Sequence, residues 1–420
     1  MIDAATARTC HIFLIAGAII FFLSTSALYI ILEPVFNSPD EAANYAVIER
    51  FARGEGLWLP AVAADTQETQ NLVHPRSMQV VGDRLVPAGF VGLPVLYGFI
   101  ARITHIGVVD VLTPLVALGG IVALYFLVLK VWGDRRVAMW SAALLALHPA
   151  FWYYTARGLF HNVLFVSLLL LGVCAMTYRK VIPALILIWL ALLVRPSEFW
   201  WVFAFLFFFW ERRSFSWKRI VTWLAAGTVL ALATIALYRY VYGDVSLFAV
   251  AAQYGGGTEG VVNQTWWRWF LPFGFHPRVM LWSAVRWYGL LALPFTLLSL
   301  GGLALTIRAQ SQNIRRWAWV FLGVTVWLLV VYGSWLIFDN PSHEVTVGGA
   351  YLRYFLPSFV LGAPLGAYVM VWCMEKLSNK WRIVVGGAVA FVLIAFTFYV
   401  AVLRIDGVRD VGQAMDTGAA

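Results

Sequence analysis

Apolar runs long enough to cross about 30 Å of hydrocarbon recur along the chain, near residues 11–32, 109–131, 137–154, 159–178, 219–241, 281–306, 316–338, 354–373 and 382–403. Between Val181 and Trp210 two shorter runs are split by Arg195-Pro196-Ser197-Glu198. A proline and two charges predict a turn there, not a continuous helix. The pattern predicts an all-α polytopic membrane protein of about eleven transmembrane helices, with residues 1–420 forming one membrane-embedded unit. The first run follows a short segment with a single arginine and lacks a small-residue cleavage site, so it reads as a retained span.

The polar positions between the runs orient them. Alternate turns hold Lys130/Arg135/Arg136, Arg179/Lys180, Arg212/Arg213/Lys218/Arg219, Arg308/Arg315/Arg316 and Lys376/Lys380/Arg382, so that all five lysines fall on one side. By the positive-inside rule that side is the cytoplasm. One segment, Val86–Ile103, is apolar but interrupted by Pro87, Gly89, Gly92, Pro94 and Gly98. Reading it as a full span would put lysines on both sides, so it is expected to lie in the outer interface as a broken amphipathic or re-entrant piece. The amino terminus is then cytoplasmic and the carboxyl terminus outside. The first outer loop, residues 33–108, is expected to carry interfacial helices.

Composition agrees with a lipid solvent: 62% of residues are hydrophobic and 12% charged, against about 25% charged in a soluble domain. The net charge of +9 comes in small clusters between spans. Topology accounts for it, and nucleic acid is not an expected partner. Cys10, Cys174 and Cys373 are far apart, without metal-ligand spacing, and predict neither a disulfide framework nor a zinc site. The acids are lopsided: all but Asp3, Asp134, Glu211 and Glu375 of the 21 fall at or near the outer face, eight of them between Glu33 and Pro87. Other outer polar segments are His148–Arg157, Gly243–Met280 and Phe338–Leu352.

Candidate chemistry concentrates where the chain leaves the first span, at Phe36-Asn37-Ser38-Pro39-Asp40-Glu41-Ala42. Ser38, Pro39 and Glu41 have the spacing of a capping box. That use of Glu41 leaves Asp40 to project elsewhere, held rigidly beside it.

This Pro-Asp-Glu after span one, followed by a long outer loop and the segment Val86-Pro87-Ala88-Gly89-Phe90-Val91-Gly92-Leu93-Pro94, resembles the glycosyltransferase C superfamily, whose members include protein O-mannosyltransferases and the lipid A aminoarabinose transferase. Trp132-Gly133-Asp134-Arg135-Arg136, Arg195-Pro196 and Leu352-Arg353-Tyr354-Phe355-Leu356-Pro357 are similar to further motifs of that family. Where many members have a second outer acid, this chain has Ala156-Arg157-Gly158-Leu159-Phe160-His161-Asn162. The pair of acids that would hold a metal is therefore incomplete. No cofactor is required by the reading, and a divalent metal stays open.

The resemblance implies a sugar donor on a polyprenyl phosphate and a lipid or glycan acceptor, with the chemistry at the periplasmic face of a bacterial inner membrane. Asp40, beside Glu41, would take the proton of the acceptor hydroxyl as the anomeric carbon inverts. The leaving phosphate needs cations, for which arginine's planar fork is suited. Arg353, Arg195 and Arg157 at span ends, then Arg76 and Arg84 in the first loop, are the candidates. His161, Asn162, Tyr354 and His74 are candidate lining residues. The outer histidines His74, His148, His161, His276 and His343 include no pair at the i, i+4 spacing of a helical metal site. Tyr254-Gly255-Gly256-Gly257 and Trp266-Trp267-Arg268-Trp269 suit a segment that orders over substrate or an interfacial aromatic belt. A multi-span transporter or lipid-linked-sugar flippase is the rival class, and a non-enzymatic membrane assembly partner a third.

Overall fold

The computed structural model describes residues 4–31, 36, 38–61, 77–88, 90–209, 217–243, 271, 273–335 and 345–418. The chain is predominantly helical. α1 (Ala4–Ile31) leads to α2 (Pro39–Ala52). A small antiparallel sheet follows, of β1 (Leu59–Pro60), β2 (Met78–Val81) and β3 (Arg84–Pro87), with β3 in the middle. The hydropathy pattern did not predict this sheet. It forms as a hairpin in which Val80 pairs with Leu85 and Val81 with Arg84 across a turn that contains Gly82 at φ 63.

α3 (Gly92–Ile103) is the predicted broken segment. Its 12 residues reach about 18 Å, too short to cross a bilayer. It packs along α2, where a Cβ on Gly98 would collide with Phe51, and its start abuts the backbone of Leu193 and Val194 at Gly92. Both glycines permit backbone contact closer than any side chain allows.

α4 (Val109–Trp132) ends at Gly133, whose φ of 71 supplies the left-handed cap. Asp134 then caps α5 (Arg135–Leu147) by accepting from the backbone N–H of Arg136 at 2.7 Å. The run expected as one span over 137–154 is broken at His148-Pro149, because proline cannot supply the helical N–H; α6 (Pro149–Ala156) starts anew. α7 (His161–Thr177) meets α6 at 112°, and α8 (Val181–Val194) meets the next segment, Pro196–Val202, at 113°. α9 (Phe199–Phe209) and α10 (Trp217–Tyr242) follow. The run over 281–306 is also not continuous: α11 (Pro277–Ser283) passes into a π-helical stretch, Ala284–Leu290, and bends 104° into α12 (Leu293–Thr306). The remaining helices are α13 (Gln312–Val331), α14 (Ala350–Tyr354), α15 (Leu356–Glu375), α16 (Asn379–Phe398) and α17 (Val408–Gly418).

Among the described residues five helices are long and apolar enough to cross a membrane, or up to eight if each bent pair is one span. Large apolar side chains stay exposed along α1, α10 and α16, including Ile20, Leu224 and Ile383. Water would not leave such surfaces in contact with itself; lipid does.

The helix ends sort by charge. Arg136 reaches Glu375 at 2.6 Å, Lys130 lies over the Tyr178 ring at 6.0 Å, and Trp132 meets Trp317 at 5.2 Å. Four of the basic turns thus gather at one end of the bundle. Arg195 at the end of α8 and Arg353 at the entry to α15 lie at the far ends of helices whose other ends carry basic turns, and Asp40 is paired with Arg353 there.

Candidate functional site

Three arginine–carboxylate pairs stand side by side at this second end. Ser38 caps α2 by accepting from the Asp40 N–H at 3.3 Å, and Pro39 is the first helical residue, as the capping pattern predicts. Glu41 is committed elsewhere. Both of its oxygens are bound by Arg157, one from Nε at 3.0 Å and the other from Nη2. Arg157 also donates to the Tyr153 hydroxyl at 2.9 Å. The Glu41 and Arg157 side chains are 1% and 6% exposed, which closes this pair to a ligand.

Arg157 takes this position because α6 ends one residue before it, at the break before α7. The α6–α7 turn is pinned from both sides: Asn44 of α2 donates to the Leu159 carbonyl at 2.8 Å, and Thr113 of α4 donates to that of Gly158.

The second break, after α8, exposes Arg195 to Glu198 three residues on. Nε and Nη2 of Arg195 donate to the same carboxylate oxygen at 3.1 and 2.6 Å, and Tyr332 donates to it at 2.7 Å. Trp201 donates to the other oxygen. This pair is also buried, at 6% and 2%.

Only the third pair is open. Arg353 Nη1 lies 3.0 Å from Asp40 Oδ2, with the side chains 15% and 34% exposed. Ser77 Oγ donates to the other Asp40 oxygen at 2.5 Å. Burial pushes the Asp40 carboxyl up, but the Arg353 charge, the Ser77 and Arg353 hydrogen bonds and nearby His161 outweigh it, so Asp40 titrates below its ordinary value of 3.8. The Arg353 Nε has no hydrogen-bond partner among the described residues.

Aromatic rings fix the guanidinium. Arg353 lies over Phe160 at 4.8 Å and over Tyr354 at 5.3 Å. Tyr354 stacks on Tyr332 at 4.6 Å with planes 6° apart, and Arg195 lies over Tyr354 at 5.1 Å. The buried Arg195–Glu198 pair therefore supports the open pair through Tyr332 and Tyr354.

Of the residues expected from sequence, Asp40, Glu41, Arg157, Arg195, Arg353, His161, Asn162 and Tyr354 come together. His161 and Asn162 serve the frame: His161 Nε2 meets the Phe90 carbonyl at 2.8 Å, and Asn162 donates to the Arg353 carbonyl at 3.0 Å. Arg84 does not join them. It lies over Trp58 at 4.1 Å and donates to the Tyr240 carbonyl at 3.4 Å, against the end of α10. Arg76, His74, His343 and the 254–257 and 266–269 clusters lie outside the described residues. His148 is buried between Phe295 and Phe359, away from these pairs. Ser77, Phe160 and Tyr332 were not expected; nothing in their local sequence marks them. Glu198, read from sequence only as one of the two charges of a turn, is the partner of Arg195.

Among the described residues no three His, Cys, Asp or Glu side chains converge as a metal site. Cys174 and Cys373 are free thiols. No protein-family model matches the chain, and no curated protein matches it significantly.

Proposed function

We propose that this chain is an integral membrane glycosyltransferase that moves a sugar from a polyprenyl-phosphate donor to a hydroxyl of a lipid or glycan acceptor, with inversion at the anomeric carbon. The observation that carries the reading is the open Asp40–Arg353 pair, set in a frame of two buried pairs at the non-basic end of an apolar helical bundle. A base and a phosphate-seeking cation are the two groups such a transfer requires, and here they stand 3.0 Å apart and partly exposed. The resemblance of the Pro-Asp-Glu and Arg-Tyr-x-x-Pro segments to glycosyltransferase C motifs supports the same assignment.

Arg353 binds the donor phosphate and Asp40 accepts the proton. In the resting pair, Arg353 lowers the basicity of Asp40. A donor phosphate that occupies the guanidinium neutralises that field, so Asp40 becomes a better base when the donor arrives. The carboxylate remains a weak base, which suits a hydroxyl that loses its proton late, after the leaving group has largely departed. Arg157 and Arg195 keep their own carboxylates and act by positioning. The basic end is assigned to the cytoplasm and the site to the periplasmic face of a bacterial inner membrane, with the amino terminus inside and the carboxyl terminus outside.

A transporter or flippase is the second reading, favoured by the three bent helix pairs, since broken helices commonly build transport sites. Transfer of labelled sugar from a polyprenyl-phosphate donor in reconstituted membranes separates the two. Asp40→Asn, inserted and folded like wild type, is expected to lose transfer by about 10²-fold or more. Full transfer by that variant sinks the assignment of the base. Wild-type protein that moves lipid or solute without any transfer replaces the enzyme with a transporter.

A further inference from the structure

Asp40 presents two carboxylate oxygens to two different chemistries. One faces the Arg353 guanidinium, and the other is taken by the hydroxyl of Ser77 at 2.5 Å. In a transfer reaction the cation side belongs to the leaving phosphate and the other side to the incoming nucleophile. The protein's own hydroxyl stands on the nucleophile's side.

Ser77 holds that place against a backbone preference. Its φ is 74, in the left-handed region that L residues seldom adopt and glycine enters freely. The conformation is anchored, because Ala88 N–H donates to the Ser77 carbonyl at 2.9 Å and so extends the β2–β3 ladder by one rung. A glycine would satisfy this backbone; a serine there adds a hydroxyl aimed at Asp40. Ser77 is also only half-buried, so its hydroxyl can leave without disrupting the core.

We propose that Ser77 occupies the seat of the acceptor's hydroxyl, and that the acceptor is a primary alcohol that displaces it. The inference rests on the transferase reading above. Serine's –CH2OH is itself a primary alcohol, so the place beside Asp40 already holds a group of that kind. On displacement, the acceptor oxygen attacks the anomeric carbon, its proton passes to Asp40, and the bond from carbon to phosphate oxygen breaks, leaving its electron pair on a phosphate held by Arg353. Ser77 then returns to Asp40 once product departs.

The test is steady-state transfer by the full-length protein in reconstituted membranes, with a polyprenyl-phosphate sugar donor and two acceptors that share a lipid tail, one primary and one secondary alcohol. Ser77→Ala removes the competing hydroxyl and keeps the Cβ; Ser77→Gly removes it and relieves the backbone. Both are expected to lower the acceptor KM by about tenfold, the worth of one hydrogen bond to a charged group, with donor KM unchanged and the primary alcohol preferred. A higher or unchanged acceptor KM, or a fall in kcat, makes Ser77 an orienting group for Asp40 and overturns the proposal. Labelled sugar found on Ser77 of the wild-type protein also overturns it, since the hydroxyl is then a substrate. Equal use of the secondary alcohol removes the assignment of acceptor class. Absence of transfer by wild type under every donor removes the transferase reading and this inference with it, an outcome distinct from transfer with an unaltered acceptor KM.

Discussion

Asp40 is the residue through which the site responds to pH. Its carboxyl titrates below the ordinary 3.8 because Arg353 and Ser77 hold the charged form. A depressed carboxylate contributes stability that is present above its unfolded value, near 3.9, and is lost as pH falls through its folded value. The difference in thermal stability between wild type and Asp40→Asn in detergent is therefore expected to stay flat from pH 7 to about pH 4 and to narrow only below that. A difference that already shrinks between pH 6 and 5 contradicts the ion pair as described. The residue scale is also where reading by sequence stopped. Asp40 and Arg353 were candidates from motif alone, but Ser77, which completes Asp40, follows no motif, and its contact depends on a positive φ that sequence does not signal at a serine.

At the scale of elements, the site is built from interruptions. α6 ends to free Arg157, α8 ends to free Arg195, and short α14 carries Arg353 into α15. Pro196 directly follows the stop at Arg195 and Pro357 opens α15, which is why the Arg195 turn is readable from sequence; the stop at Arg157 has no proline after it, since Pro149 begins α6. The break at His148-Pro149 had the same local signal but was masked by continuous hydropathy on both sides. Among the described residues each buried arginine at a break is paired with an acid, so Glu198→Gln should leave an uncompensated buried charge at Arg195 and destabilise the protein by about 3–5 kcal/mol, and Glu41→Gln should destabilise it by breaking a buried pair. Thermal unfolding in detergent measures this. A loss under about 1 kcal/mol for either variant means that its pair is solvated like a surface ion pair. The Glu198 variant should also loosen Arg353, because Tyr332 and Tyr354 link the two; the Glu41 variant acts on the other side of the site, through Arg157.

On the scale of the whole molecule, the bundle separates its charges. Four of the basic turns meet one another at one end, through Arg136–Glu375, Lys130–Tyr178 and Trp132–Trp317, and the three ion pairs occupy the other. Single cysteines introduced on a background without Cys10, Cys174 and Cys373 test this across a sealed membrane. Asp83→Cys, at a side chain 95% exposed, should react with an impermeant maleimide from one side, and Lys380→Cys only from the other. Labelling of both from the same side breaks the proposed topology. What the sequence by itself determined was the helical, lipid-facing class, the sidedness of the basic turns and the turn at Arg195-Pro196. Hydropathy, charge order and proline are local or additive along the chain, so they are legible without a fold. Only tertiary structure decided that Glu41 belongs to Arg157, across 116 residues, while its neighbour Asp40 stays open to Arg353 and Ser77. Adjacent carboxylates on a helix point about 100° apart, and which of them is buried depends on what packs against each face.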